Sequence, residues 1–182
     1  MSFITEHKQK FDDLKSHLRN KDQIRRGANG GNSILFCYPP HEEQLYIKKA
    51  KELFHGIAYF INISSLFVDF IDQDGWEDFS QYYKDFITTP HKVFKSDDPT
   101  QDLFDMIISE IEEADKTDKI PFLIRTGCLF GTGIENVNII EHKVVMELSN
   151  PLVIFYPSIL IDGKLHFLNF KPASKYRCVL VN

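Results

Sequence analysis

The 182-residue sequence lacks any apolar stretch long enough to span a bilayer. Its longest, Ile57 to Val68, is 12 residues and stops at Asp69, short of the ~18 or more that a transmembrane helix needs. Met1 to Lys10 contains no apolar core of an export signal, so a cytoplasmic protein is expected. Cysteine is scarce. Cys37, Cys128 and Cys178 are odd in number and far apart, each in or beside an apolar run, which argues against a disulfide framework and for a reducing compartment. The seven histidines never pair at i, i+4, and no Cys-x-x-Cys or His-Glu-x-x-His occurs, so no metal site is expected. There is no Gly-x-Ser-x-Gly, and no cysteine has a histidine beside it in sequence. Catalytic residues and cofactors are therefore both expected to be none.

Aromatic residues are plentiful, with 16 Phe and seven Tyr beside a single Trp, enough for a well-packed core and some surface for a partner. Charge is polarised. Residues 1–26 hold Lys8, Lys10, Lys15, Arg19, Lys21, Arg25 and Arg26 against four acids, a local balance of +3, so the rest carries −8 of the net −5. A molecule acidic overall lacks the footprint of a general nucleic-acid binder. The basic segment remains a candidate partner surface through Arg19, Arg25 and Arg26.

One helix is expected over residues 3–25, with Phe11, Leu14 and Leu18 on one side, ended by Gly27, Gly30 and Gly31. Apolar runs at 33–38, 57–63, 120–126 and 151–156 read as strands covered on both faces. Helical spacing separates them: Tyr46, Ala50, Leu53 and Phe54; then Trp76, Phe79, Tyr83 and Phe86; then Leu103, Ile107, Ile111 and Ala114; then Val137, Ile140, Val144 and Leu148. Asp97 or Asp98 before Pro99 reads as the third helix start. The closing segments 165–170 and 176–181 read as an edge hairpin. The expected architecture is a single α/β domain over 1–182, a basic helix followed by a core at 33–182. It is three-layer and Rossmann-like, with a mostly parallel sheet.

Such a sheet invites a nucleotide, yet the first strand runs into Tyr38-Pro39-Pro40-His41-Glu42, without glycine, lysine or a hydroxyl for magnesium. The fold thus reads as P-loop-NTPase-like without the phosphate loop. Gly127, Gly131 and Gly133 follow a strand but match neither phosphate-binding spacing, and read as a turn. What remains at the carboxyl ends of the strands, where open α/β sheets bind ligands, is Tyr38, Pro39, Asn62, Arg125, Thr126, Tyr156 and Pro157. Arg125, ending an apolar strand, requires an acidic partner, internal or external.

The C-terminal third carries a family resemblance. Phe122-Leu123-Ile124-Arg125-Thr126-Gly127, Asn150-Pro151-Leu152-Val153-Ile154-Phe155-Tyr156-Pro157, Leu165-His166-Phe167-Leu168 and Tyr176-Arg177 resemble BrxB, the small core protein of BREX bacteriophage-defence systems. Tyr38-Pro39-Pro40 is similar to that family's upstream turn. Ser158 and Lys175 depart from its usual glycine and tyrosine. The resemblance implies a non-enzymatic adaptor acting with a PglZ-type phosphatase-like subunit, a DNA adenine methyltransferase and a large ATPase. Two other classes of function stay open on the residues alone. One is nucleic-acid contact through the N-terminal helix; the other is a degenerate nucleotide-binding enzyme using Tyr38, Arg125 and Tyr156.

Overall fold

The computed structural model describes residues 3–96 and 101–182. In chain order the elements are α1 (Phe3–Arg19), α2 (Lys21–Gly27), β1 (Ser33–Tyr38), α3 (Glu43–Phe54), β2 (Ala58–Asn62), α4 (Ile63–Asp72), α5 (Trp76–Tyr83), α6 (His91–Phe94) and α7 (Leu103–Lys116). Then follow β3 (Ile120–Ile124), α8 (Asn136–Ile140), α9 (Lys143–Glu147), β4 (Leu152–Ile161), β5 (Lys164–Phe167), β6 (Lys171–Ala173) and β7 (Val179–Val181).

The main sheet has the order β2-β3-β4-β1-β7 and is parallel throughout, with Ser33 opposite Leu152, Ala58 opposite Ile120 and Ile34 opposite Val179. The central strands carry the most continuous apolar sequence. Every residue of β1 and of β4 from Leu152 to Ser158 is buried, whereas edge strand β2 buries only Ile61. Alternate side chains divide between two cores. Ile34, Phe36, Tyr38, Phe122 and Phe155 pack under α1, α2 and α3, while Leu35, Cys37, Leu123, Ile154 and Tyr156 pack under α4 to α9. Helices on both faces of an open sheet make the α/β domain expected from the sequence.

Several local expectations are corrected. The N-terminal helix is two helices that break at Asn20, which leaves the helical region at φ −118° and ψ 57° and whose side-chain amide donates to the Ser16 carbonyl at 3.2 Å. It does not swing free: Phe11, Leu14, Leu18 and Ile24 are buried against the sheet. The apolar run after β2 turns into α4, because Leu66, Phe67, Phe70 and Ile71 recur at helical spacing and pack on the core. In α5, Phe79 is buried but Trp76 is 67 % exposed. The Asp97, Asp98 and Pro99 start lies outside the described residues; α7 is capped by Asp102, whose carboxylate accepts from the Asp105 amide at 2.9 Å in a reciprocal capping box. The single helix expected from Val137, Ile140, Val144 and Leu148 divides at His142, and Ile139 and Val145 turn inward with Ile140 and Leu148, leaving Val137 and Val144 half-buried.

The closing hairpin is also rearranged. β4 outruns the parallel sheet and folds back into β5, which pairs antiparallel with β4 and β6. β7 does not pair with β5: it crosses to the opposite edge and lies parallel to β1. Gly31 explains the crossing. A Cβ there would lie 1.8 Å from the Arg177 carbonyl oxygen, and Arg177 in turn donates to the Asn29 carbonyl at 3.0 Å. The glycine cluster before β1 is thus where the segment entering the last strand is seated.

Candidate functional site

At the carboxyl edge of the sheet, β1 ends in Tyr38 and the chain leaves through Pro39 and Pro40 into a short 3₁₀ turn before α3. Two consecutive prolines remove amide donors where an α/β nucleotide site would present them. Glu43, in the first turn of α3, points back over the strand ends. Its carboxylate accepts from the Tyr38 hydroxyl at 3.0 Å and faces the Arg125 guanidinium at 3.5 Å. Tyr38 is fully buried, and burial together with the Glu43 carboxylate pushes its phenol well above the usual range. It therefore stays a neutral donor. Arg125 thus has an acidic partner inside the protein.

Arg125 takes a left-handed backbone, φ 61° and ψ 36°, that ends β3 and starts the 3₁₀ turn Thr126–Leu129. That conformation costs a non-glycine residue roughly 1–2 kcal/mol, and the turn is fastened by two bonds. The Thr126 hydroxyl donates to the Phe155 carbonyl at 2.6 Å, and the Cys128 thiol to the Arg125 carbonyl at 3.1 Å. Beside this turn is a cleft of about 220 Å³ lined by Pro40, Glu43, Ser64, Arg125, Cys128 and Pro157. Asn62 accepts from the Ser64 hydroxyl at 2.9 Å and lines the neighbouring cleft on the other side of Arg125, with Gln44 and Lys48.

Only part of the strand-end set expected from the sequence comes together. Tyr38 and Arg125 meet through Glu43, and Pro39 is half-buried beside them. Thr126 is buried and consumed by its bond to β4. Tyr156 projects into the other core, stacked on Phe167 at 4.7 Å, and burial raises its phenol too. Both are buried, yet both line a cleft of about 70 Å³ that they share with Phe130, Glu135, Lys171 and Tyr176. The second candidate surface is likewise reduced: Arg25 donates to the carbonyls of Met146 and Leu148 at 3.1 and 3.3 Å and ties α2 to the end of α9. Arg19 and Arg26 remain exposed around one shallow cleft. Lys10 is buried, with its ammonium 3.5 Å from the Cys37 carbonyl and 5.9 Å from the centre of the Tyr46 ring.

The thiols are poorly suited to nucleophilic chemistry. Burial raises Cys37 and Cys128 to about 11 and Cys178 to about 12, which leaves almost no thiolate at neutral pH. Among the described residues no group of three His, Cys, Asp or Glu side chains is placed to hold a metal ion.

Two features went unread in the sequence. Phe130 and Phe170, both about half exposed, meet edge to face at 5.3 Å beside Tyr176. An apolar groove of about 570 Å³ also runs between α1 and α3. Its one sequence signal is Leu45, a leucine on the otherwise charged outer face of α3. Comparison with protein-family models, curated proteins and solved structures gives no match to this chain.

Proposed function

We propose that the protein is a non-enzymatic adaptor subunit of a BREX bacteriophage-defence system, bridging the phosphatase-like and adenine methyltransferase components. The observation that carries this reading is the self-neutralised strand edge. An α/β sheet of this kind holds its ligand at the carboxyl ends of its strands, and here Glu43 already supplies the acid that Arg125 requires. The proline pair after β1 and the high thiol pKa values agree with a scaffold without a reaction centre. On this reading the fold is Rossmann-like, a P-loop-NTPase-like sheet that lacks the phosphate loop. The resemblance of residues 120–182 to BrxB supplies the system and its partners.

No described helix is long and apolar enough to cross a membrane, and the adaptor would work in the cytoplasm. The test is co-purification from cells carrying the whole system. The tagged protein should recover the phosphatase-like subunit, the methyltransferase or both. Recovery of neither would end the adaptor reading.

A further inference from the structure

The groove between α1 and α3 is lined almost wholly by apolar atoms. Phe11 and Tyr46 form its floor, with ring centres 5.8 Å apart. Leu53 is half-buried on one wall and Leu45 is 48 % exposed on its lip. An apolar trough of this size left in water is costly, and such surfaces usually mark an interaction site. Its rim is net basic: Lys8, Lys15 and Lys49 stand against Asp12, the one carboxylate among its described lining residues, with Lys15 3.9 Å from Asp12 and Lys49 3.2 Å from the neighbouring Glu52. That sign is opposite to the charge of the molecule as a whole.

We propose that this groove is a docking site for an amphipathic helix of a partner protein whose apolar stripe is flanked by Asp or Glu. The inference rests on the adaptor reading and names the kind of segment the adaptor would hold. The walls are two helices, and the lining positions Lys8, Asp12 and Leu45, Lys49, Leu53 recur at i, i+4. Such rows form ridges between which the ridge of a third helix packs. Among the described residues no strand edge borders the groove, so an extended peptide would find no backbone ladder there. Carboxylates along the flanks of the incoming helix would meet Lys8 and compete for Lys15 and Lys49, whose exposed pairs with Asp12 and Glu52 are weak, favouring an acidic segment over a basic one.

Fluorescence anisotropy with the full chain tests the inference. The probe is a synthetic amphipathic peptide with leucines at i, i+3, i+4 and i+7 and glutamates on its flanks, compared with the same peptide carrying lysines in place of the glutamates. The glutamate peptide should bind about three-fold more tightly at low salt, the worth of roughly one unopposed rim pair, and salt should narrow the gap. Leu45→Asp should abolish binding, and Lys49→Glu should shrink or reverse the charge preference. Both positions are exposed, and an unchanged far-UV spectrum shows that each variant folds. Equal binding of the two peptides, no binding, or binding indifferent to Leu45→Asp overturns the proposal. So does a dimer of the protein alone that Leu45→Asp makes monomeric, or adsorption to phosphatidylserine vesicles that the same change removes. Peptide binding without recovery of BREX subunits would sink the adaptor reading and leave the groove standing. Recovery unaffected by Leu45→Asp would do the reverse.

Discussion

Removing the Glu43 carboxylate should cost more than removing Arg125, although the ion pair is the more conspicuous contact. Tyr38 is fully buried, and its hydroxyl donates to Glu43 at 3.0 Å. Truncation in Glu43→Ala leaves that hydroxyl desolvated and unmatched, a penalty of about 1–3 kcal/mol. Arg125 faces Glu43 at 3.5 Å with a third of its side chain exposed, where screening leaves such a pair at roughly 0–1 kcal/mol. Its left-handed backbone adds no further loss on truncation to alanine. Urea unfolding should therefore rank Glu43→Ala as the most damaging change, Tyr38→Phe next at about 1–1.5 kcal/mol, and Arg125→Ala last. A double-mutant cycle between Tyr38→Phe and Glu43→Ala should return a coupling of about 1 kcal/mol or more. Arg125→Ala as costly as Glu43→Ala, or a cycle that closes at zero, would refute the claim that this cluster is an internal clasp centred on the carboxylate.

Three further outcomes are expected. Gly31→Ala forces the Arg177 carbonyl from 1.8 Å to beyond 3.0 Å. Overpacking of that kind costs about 1–3 kcal/mol, and differential scanning calorimetry should show a drop of several degrees that Gly56→Ala, with open space around its Cβ, does not share. In α7, Asp102→Ala should lose about 1 kcal/mol while Asp102→Asn retains most of the cap; equal losses in urea melts would contradict the capping box. Cys37 has a folded pKa of about 11 against an ordinary 9.0, so the native state holds a proton that the unfolded chain releases. Its contribution is complete below pH 9 and lost as pH rises through about 11. Wild type should thus weaken on that climb more than Cys37→Ala, and parallel urea midpoints for the two proteins would be the contrary result.

The parallel core was legible because β1, β3 and β4 are continuous apolar runs, a pattern that strands covered on both faces require. Helix α4 was hidden by the same rule. Its apolar residues follow β2 without a break, and periodicity cannot divide one apolar run into a strand and a helix. The destination of β7 depends on Gly31 admitting Arg177 from 146 residues away, a contact that leaves no local trace. In the site, the need of Arg125 for an acid was readable from its place at a strand end. That the acid is Glu43 follows only from the turn of α3 over the sheet, 82 residues away in sequence. Tyr156 and Thr126 looked accessible because they end or follow strands. The extension of β4 into β5 and the bond to Phe155 bury them instead.

The central claim is that this sheet serves as a scaffold between other subunits, and size-exclusion chromatography with light scattering tests it most directly. The purified protein would be run alone and then mixed with a PglZ-type phosphatase-like subunit, the partner proposed for it. A scaffold of this kind should elute with the subunit in one peak with the mass of a stoichiometric complex. Separate elution from that subunit, repeated with the methyltransferase, would contradict it.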